Sequence, residues 1–313
     1  MASPTSANGD RTPEASGFLN VNKDRGVTST DVVRQVKRLT VQRKVGHCGT
    51  LDPDATGVLP VCIGRATRFV EAVVNAGKDY LMKVRLGVAT DTYDGSGVVV
   101  READPRNIGR ADVEAVLERF RGETSQLPPM YSAIKVGGRP LYELARAGAT
   151  VERTPRRVTV TSLELVEWEH PEFVLSIECG RGFYARSLAN DIGEALGNAA
   201  HMSGLERRRA GPFRIEDSIT LDGFERMVKL GNWRDALRPP DFVLDHLPGI
   251  VLDPLAEEQL RHGQVVPARD FNDRGTGQVA RARMYSIDGV FLALARYDPA
   301  GPWWRPEKVV VAD

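Results

Sequence analysis

The sequence predicts an α+β protein: a mixed, largely antiparallel central sheet flanked by helices, followed by a small, mostly β module at the C-terminal end. Three observations predict it. The chain has 313 residues, which at roughly 150 residues per domain gives about two domains. Tyr80, Met82, Val84 and Leu86 recur at every second position, as do Phe173, Leu175, Ile177 and Cys179, the period-2 signature of half-buried strands. Helical spacings fall between such runs without a regular strand–helix–strand beat, which argues against a doubly wound parallel sheet.

Taken in order, residues 1–16 (MASPTSANGDRTPEAS) carry almost no large apolar side chain, cannot repay the entropy of ordering, and predict a flexible tail. A short strand follows near Phe18–Val21 and a turn at Asp24–Arg25–Gly26. Thr28, Ser29 and Thr30 then offer hydroxyls to cap a helix with Val32, Val33, Val36 and Leu39 on one side. Ala66, Phe69, Val70, Val73 and Val74 predict a second amphipathic helix, and Val113, Val116, Leu117 and Phe120 a third. Around Val158–Val166 the alternation slips phase between Val160 and Leu163, which predicts a long strand carrying a bulge. A helix is expected to about Leu196 through Leu188 and Ile192. From about Pro239 a helix at Leu255–Arg261 and short strands around Val279–Ser286, Phe291–Arg296 and Lys308–Val311 read as a separate module. The expected division is a tail over 1–16, a first domain over 17–240 and a second over 241–313.

Lys and Arg total 42, as do Asp and Glu, so the net charge is zero. That argues against a histone-like coat while allowing local basic surfaces. No run approaches the about 18 apolar residues of a bilayer span, and the N-terminal stretch lacks the apolar segment of a signal peptide, so a cytoplasmic location is expected. Cys48, Cys62 and Cys179 are odd in number with no CxxC, and the five histidines show no metal-ligand spacing, so neither a disulfide framework nor a structural zinc is expected.

The densest punctuation is GHCGTLDPDATGVLP, residues 46–60, with three glycines and two prolines in 15 residues. Such a run predicts a long shaped loop, and loops on a rigid scaffold are where function concentrates. Pro53 pushes Asp52 toward an extended backbone, placing Asp52 and Asp54 on one side. From composition alone, an Asp-Pro-Asp is more often a capped turn than a site.

The string itself resembles the active-site loop of the TruB family of pseudouridine synthases, whose usual form is GHxGTLDPxATGVLP. The resemblance continues through NKDRGVTSTDVV, KDYLMKVRLGVATDTYDGSG, LPPMYSAIKVGGRPLYELARAG, CGRGFYARSLANDIGEALG and HMSGLERRRAGPF, covering roughly residues 17–225 and weakening beyond about 240. It implies the pseudouridine synthase fold, a PUA-like C-terminal RNA-binding module, and isomerisation of uridine 55 in the T-loop of tRNA without any cofactor. The expected partner is the T-stem-loop of tRNA, with no membrane and no protein partner required, the enzyme being a monomer.

The resemblance assigns roles residue by residue. Asp52, in LDP, is the nucleophile; an ionised carboxylate can attack C1′ of the sugar or add to C6 of the base and later leave. A buried nucleophilic carboxylate needs a cationic partner, and Arg186 matches that position. A cation in the first turn of a helix opposes the macrodipole, so an arginine there makes sense chiefly if it meets an anion. Tyr80 and Tyr184 match active-site tyrosines, Tyr80 stacking on the uracil and helping to move the C5 proton. Without the resemblance, alternation makes Tyr80 a core residue. Leu205 falls where the family packs a leucine against the base, and His47 where it contacts RNA beside the extruded nucleotide.

Basic clusters are expected around the site. Arg34, Lys37, Arg38, Arg43 and Lys44 stand against Asp31, and Lys135, Arg139, Arg146, Arg153, Arg156 and Arg157 against Glu143 and Glu152; Arg207, Arg208 and Arg209 form a third. Such clusters position RNA through its phosphates. Residues 121–151, with Gly137–Gly138, resemble the family's mobile RNA-binding insertion. NKDRG departs from the commoner DKPxG, and Asp54 occupies a variable position. Competing readings are a guide-RNA-dependent pseudouridine synthase, an RNA-binding or tRNA-folding protein without catalysis, and an N-glycoside hydrolase using both aspartates.

Overall fold

The computed structural model describes residues 14–132, 134–148, 151–268, 281–298 and 300–310. All but the end of the predicted tail lies outside them. Its last residues are packed: Ala15 is buried, and the Ser16 hydroxyl accepts from the Arg65 N–H at 3.1 Å.

In the first half, β1 (Gly17–Lys23), α1 (Ser29–Thr40), β2 (Val45–His47) and β3 (Thr56–Ile63) lead to α2 (Val70–Asn75) and β4 (Lys78–Leu86). Thr28 caps α1 in a reciprocal capping box with Asp31, as the hydroxyl run predicts. The helix expected from Ala66 starts instead as a 3-10 turn over Gly64–Phe69. A Cβ on Gly64 would lie 2.2 Å from the Ala15 carbonyl, and its φ of +60° is one that glycine adopts without strain.

A hairpin of β5 (Val88–Thr90) and β6 (Val99–Glu102) precedes α3 (Arg110–Leu117) and β7 (Gly122–Gln126). Next come β8 (Lys135–Val136), β9 (Arg139–Pro140), α4 (Leu141–Arg146), β10 (Arg156–Glu169) and β11 (Glu172–Cys179). The third predicted helix is thus α3, ending in a 3-10 turn over Glu118–Phe120. β10 carries the expected irregularity between Val160 and Ser162, and another between Leu165 and Glu167. Within the predicted insertion, β7 belongs to the central sheet, and Gly137–Gly138 form the turn of the β8–β9 hairpin.

Then follow α5 (Ala185–Ala195), β12 (Ala200–Ala210), β13 (Phe213–Arg214), β14 (Ile219–Thr220), α6 (Leu221–Leu230) and β15 (Leu237–Arg238). The central sheet runs β14-β1-β3-β12-β4-β11-β10-β7, with only β1/β14 and β3/β12 parallel. β12 therefore lies between β3 and β4. Phe18, Val58 and Cys62 pack on one face of β1 and β3, and Leu19, Val21, Leu59 and Val61 on the other, so this part of the sheet is covered on both sides. A separate cluster joins β4, β10 and β11 to α3 and α5.

A second sheet holds β16 (Gly249–Val251), β17 (Val266–Pro267), β18 (Arg281–Tyr285), β19 (Phe291–Asp298) and β20 (Trp303–Val309), with α7 (Pro254–Arg261) against it. β20 begins five residues before the predicted start of the last strand, at Trp303, because Trp304 is a core side chain.

Candidate active site

The loop carrying Asp52 is shorter than its composition predicts. Residues 45–47 and 56–63 are strands, leaving residues 48–55 as loop. Gly57, at φ +97°, can enter β3 because β12 passes so close that a Cβ there would sit 2.3 Å from the Arg207 carbonyl. Pro60 is tolerated in the strand because its free group is a carbonyl, which accepts from the Cys48 N–H at 2.8 Å.

The loop is tied down on both flanks of Asp52. The Ser29 hydroxyl accepts from the Leu51 N–H at 2.9 Å and donates to the Leu51 carbonyl at 3.0 Å. Lys23, fully buried, donates through Nζ to the carbonyls of Asp24, Val27 and Pro53 at 2.9, 2.7 and 3.0 Å. Burial lowers its ammonium pKa below the usual lysine value, the nearby aspartates opposing that effect. The carboxylate between these ties is therefore presented on a preformed bend.

Arg186, the second residue of α5, meets it. Its Nε lies 3.0 Å from Asp52 Oδ2, and its Nη2 donates to Oδ1 at 3.2 Å. The same guanidinium donates to the carbonyls of Tyr131 at 2.9 Å and Thr92 at 3.4 Å. Asp94 Oδ2 stands 3.7 Å from its Nε. The Asp52 side chain is 37% exposed, open to water at a cavity floor yet walled by protein on its other sides. Loss of hydration raises its pKa above the usual carboxylate value; Arg186 opposes this and Asp94 adds to it.

Asp94 was not singled out from sequence. Its Oδ1 accepts from the Thr92 hydroxyl at 2.7 Å, the Ser96 hydroxyl at 2.6 Å and the Ser96 N–H at 3.0 Å, fixing the carboxylate. The preceding Tyr93 adopts φ +64°, a strained conformation for a tyrosine, held by the Met202 N–H on the Tyr93 carbonyl at 3.0 Å. The available sequence signal was a cluster of turn residues, Asp91 to Gly97, just beyond a strand.

Asp52, Tyr80, Tyr184, Arg186 and Leu205 all line one cavity of about 1100 Å³, together with Asp94. Tyr80 comes from β4, buried, its ring 6.4 Å from Phe183; burial raises its phenol pKa and Arg207 opposes this. Tyr184 sits at the N-cap of α5, its N–H donating to Gln126 Oε1 at 2.9 Å, and burial raises its phenol too. Leu205 bridges two hydrophobic clusters at the cavity wall. Lys78, Arg156 and Arg181 supply cations around the same space. His47 does not join this lining. It is half-buried on β2, its Nδ1 without a hydrogen-bond partner, and burial lowers its pKa. Asp54 stands exposed at the rim rather than beside Arg186.

The third basic cluster is not a surface. Arg207 is 1% exposed, Arg209 is paired with Asp79 at 2.6 Å, and Arg208 reaches Glu206 and Glu216. The first cluster is exposed on and after α1, as are Arg139, Arg156 and Arg157 of the second. Among the described residues no group of His, Cys, Asp and Glu is placed to hold a metal ion, and no helix is long and apolar enough to cross a membrane.

Two family descriptions match the chain: the N-terminal domain of the TruB family pseudouridylate synthases over residues 37–185, and the C-terminal domain of tRNA pseudouridylate synthase B over residues 186–245. The tRNA pseudouridine synthase B of Geotalea uraniireducens is 41% identical over 92% of this chain and 93% of its own. That of Geobacillus kaustophilus is 44% identical over 84% of this chain and 94% of its own. Among solved structures, a chain of a Cbf5-Nop10-Gar1 complex superposes with a TM-score of 0.71 at 29% identity, covering 94% of this chain and 84% of that one.

Proposed function

The chain belongs to the TruB family of pseudouridylate synthases, and from that premise we propose that it isomerises uridine 55 in the T-loop of tRNA, with Asp52 as the nucleophile. The observation that carries the reading is the grip of Arg186 on Asp52 at the floor of a cavity that Tyr80, Tyr184 and Leu205 also line.

The reaction breaks N1–C1′, makes C5–C1′, removes the C5 proton and returns one to N1, with no change of mass. Asp52 must be ionised to attack, whether at C1′ or at C6, and Arg186 keeps the anion while aiming it. Tyr80 stacks on the uracil and presents its phenol oxygen to the C5 proton. Once C5 carries both hydrogen and the ribosyl carbon it is a strong carbon acid, so a modest base suffices. Tyr184 and Leu205 bound the base. A stacked loop nucleotide reaches this depth only when swung out, at a cost of a few kcal/mol, and His47 contacts the RNA beside the gap. The exposed cations of α1 and the segment after it hold the T-stem phosphates. The second sheet is a further RNA-binding module of residues 241–313. The protein works as a monomer in the cytoplasm.

The test incubates the protein with an unmodified tRNA transcript and maps pseudouridine, beside Asp52→Asn. Pseudouridine at position 55 from the parent and none from the variant is expected. Activity surviving in the variant overturns the nucleophile assignment, free uracil points to hydrolysis, and binding without product in either protein points to an RNA-folding role.

A further inference from the structure

Arg207 lines the site and is buried, 1% exposed, and among the described residues no carboxylate forms an ion pair with it. Its donors go to main-chain carbonyls instead: Nε to Val58 at 2.7 Å, Nη2 to Gly49 at 3.1 Å and Nη1 to Thr50 at 3.4 Å. Gly49 and Thr50 begin the bend that presents Asp52. In the sheet, Arg207 stands opposite Gly57 of β3 on one side and Tyr80 of β4 on the other. Its guanidinium lies against the Tyr80 phenol. A guanidinium buried without a counter-charge is costly, and the same packing of its stem would be had from a methionine. What methionine would not supply is a rigid fork of donors joining the Asp52 bend to the Tyr80 strand.

We propose that Arg207 is a positioning residue for the isomerisation, which locks the bend carrying Asp52 to the strand carrying Tyr80 and holds a permanent positive charge beside the Tyr80 phenol. This rests on the reading that Asp52 and Tyr80 act on the uridine. Three groups on three elements face that phenol: Arg207 from β12 opposes the effect of burial, whereas Cys179 from β11 and Asp52 from the loop add to it. Removing the Arg207 charge therefore makes the phenol harder to ionise, and the rise in rate that follows its ionisation moves to higher pH. Removing the fork also frees the bend, and a misplacement of about 1 Å at a reacting group costs on the order of 100-fold in rate.

The experiment measures single-turnover pseudouridine formation across pH, tRNA affinity and thermal unfolding for Arg207→Met and Arg207→Lys, with Asp52→Asn and Tyr80→Phe alongside. For Arg207→Met we expect conversion to fall about 100-fold with tRNA affinity within about twofold of the parent, and the alkaline rise displaced upward. Arg207→Lys keeps a charge but not the fork, so it should keep the parental pH dependence at a reduced rate. It carries the test alone if the methionine variant does not fold. Conversion within about twofold of the parent overturns the proposal. So does a loss that merely tracks weakened tRNA binding, or an equal loss at every pH in Arg207→Met. Conversion by Asp52→Asn or Tyr80→Phe instead overturns the underlying reading, whatever Arg207 does.

Discussion

Arg186 and Asp52 meet side-on, two guanidinium nitrogens on two carboxylate oxygens at 3.0 and 3.2 Å, although they lie 134 residues apart in the chain. Burial pushes the Asp52 carboxyl pKa up, and the Arg186 guanidinium opposes that rise.

Asp52→Asn should fold, and at pH 7 its Tm should equal or exceed that of the parent. A carboxyl whose folded pKa is raised contributes stability below its unfolded pKa and loses it as pH climbs through the folded pKa. At neutral pH the parent thus bears the cost of a partly dehydrated anion, which asparagine lacks. Pseudouridine formation should fall by at least about 10³-fold. Thermal unfolding at pH 7 checks this, and a variant markedly less stable than the parent would contradict it.

Replacing Arg186 by glutamine removes the cation that holds the Asp52 pKa down, so burial and Asp94 act unopposed. The acid limb of the pH–rate profile should then move to higher pH. Arg186→Lys, with one charge but no planar fork, should leave that limb closer to the parent's while lowering the rate by about 10-fold or more.

Lys23→Met should cost about 1–3 kcal/mol in urea unfolding, since the part-buried carbonyls of Asp24, Val27 and Pro53 lose the ammonium that gathers them. The rate should fall as well, because the Pro53 carbonyl is the tie immediately after Asp52.

Gly57→Ala should destabilise by more than about 1 kcal/mol, from positive φ and from a methyl forced against the Arg207 backbone. Glycine's absence of a side chain is what lets β3 and β12 pair as parallel strands here.

Lys37→Ala with Arg38→Ala should weaken tRNA binding and reduce its salt slope by about one for each phosphate no longer neutralised, leaving conversion at saturating tRNA unchanged. Binding titrations at several salt concentrations measure it.

Much of this architecture could be read from residues alone. Alternation from Tyr80 to Leu86 gave β4 and its buried face, and the hydroxyls at Thr28–Thr30 gave the start of α1. Local chemistry decides such features. The Gly46–Pro60 run misled because Gly57 and Pro60 break strands in isolation, whereas β12 and the Cys48 N–H accommodate them. Arg207 misled more. Three consecutive arginines imply a solvated surface, but the Val58 carbonyl that takes one of them indoors is 149 residues away in sequence. Asp94 was hidden for the same reason: its neighbour Arg186 comes from an element whose place depends on the whole sheet.

The wedging of β12 between β3 and β4 bears on how the enzyme is made. β1 and β3 can pair as they leave the ribosome, but β3 and β4 cannot be joined into one sheet; their mutual partner, residues 200–210, is translated more than a hundred residues later. Until it arrives, the nascent chain exposes two unfinished edges and no assembled pocket, a state that favours slow maturation and engagement by chaperones. Chemistry on RNA is thereby withheld until synthesis of the catalytic half is essentially complete.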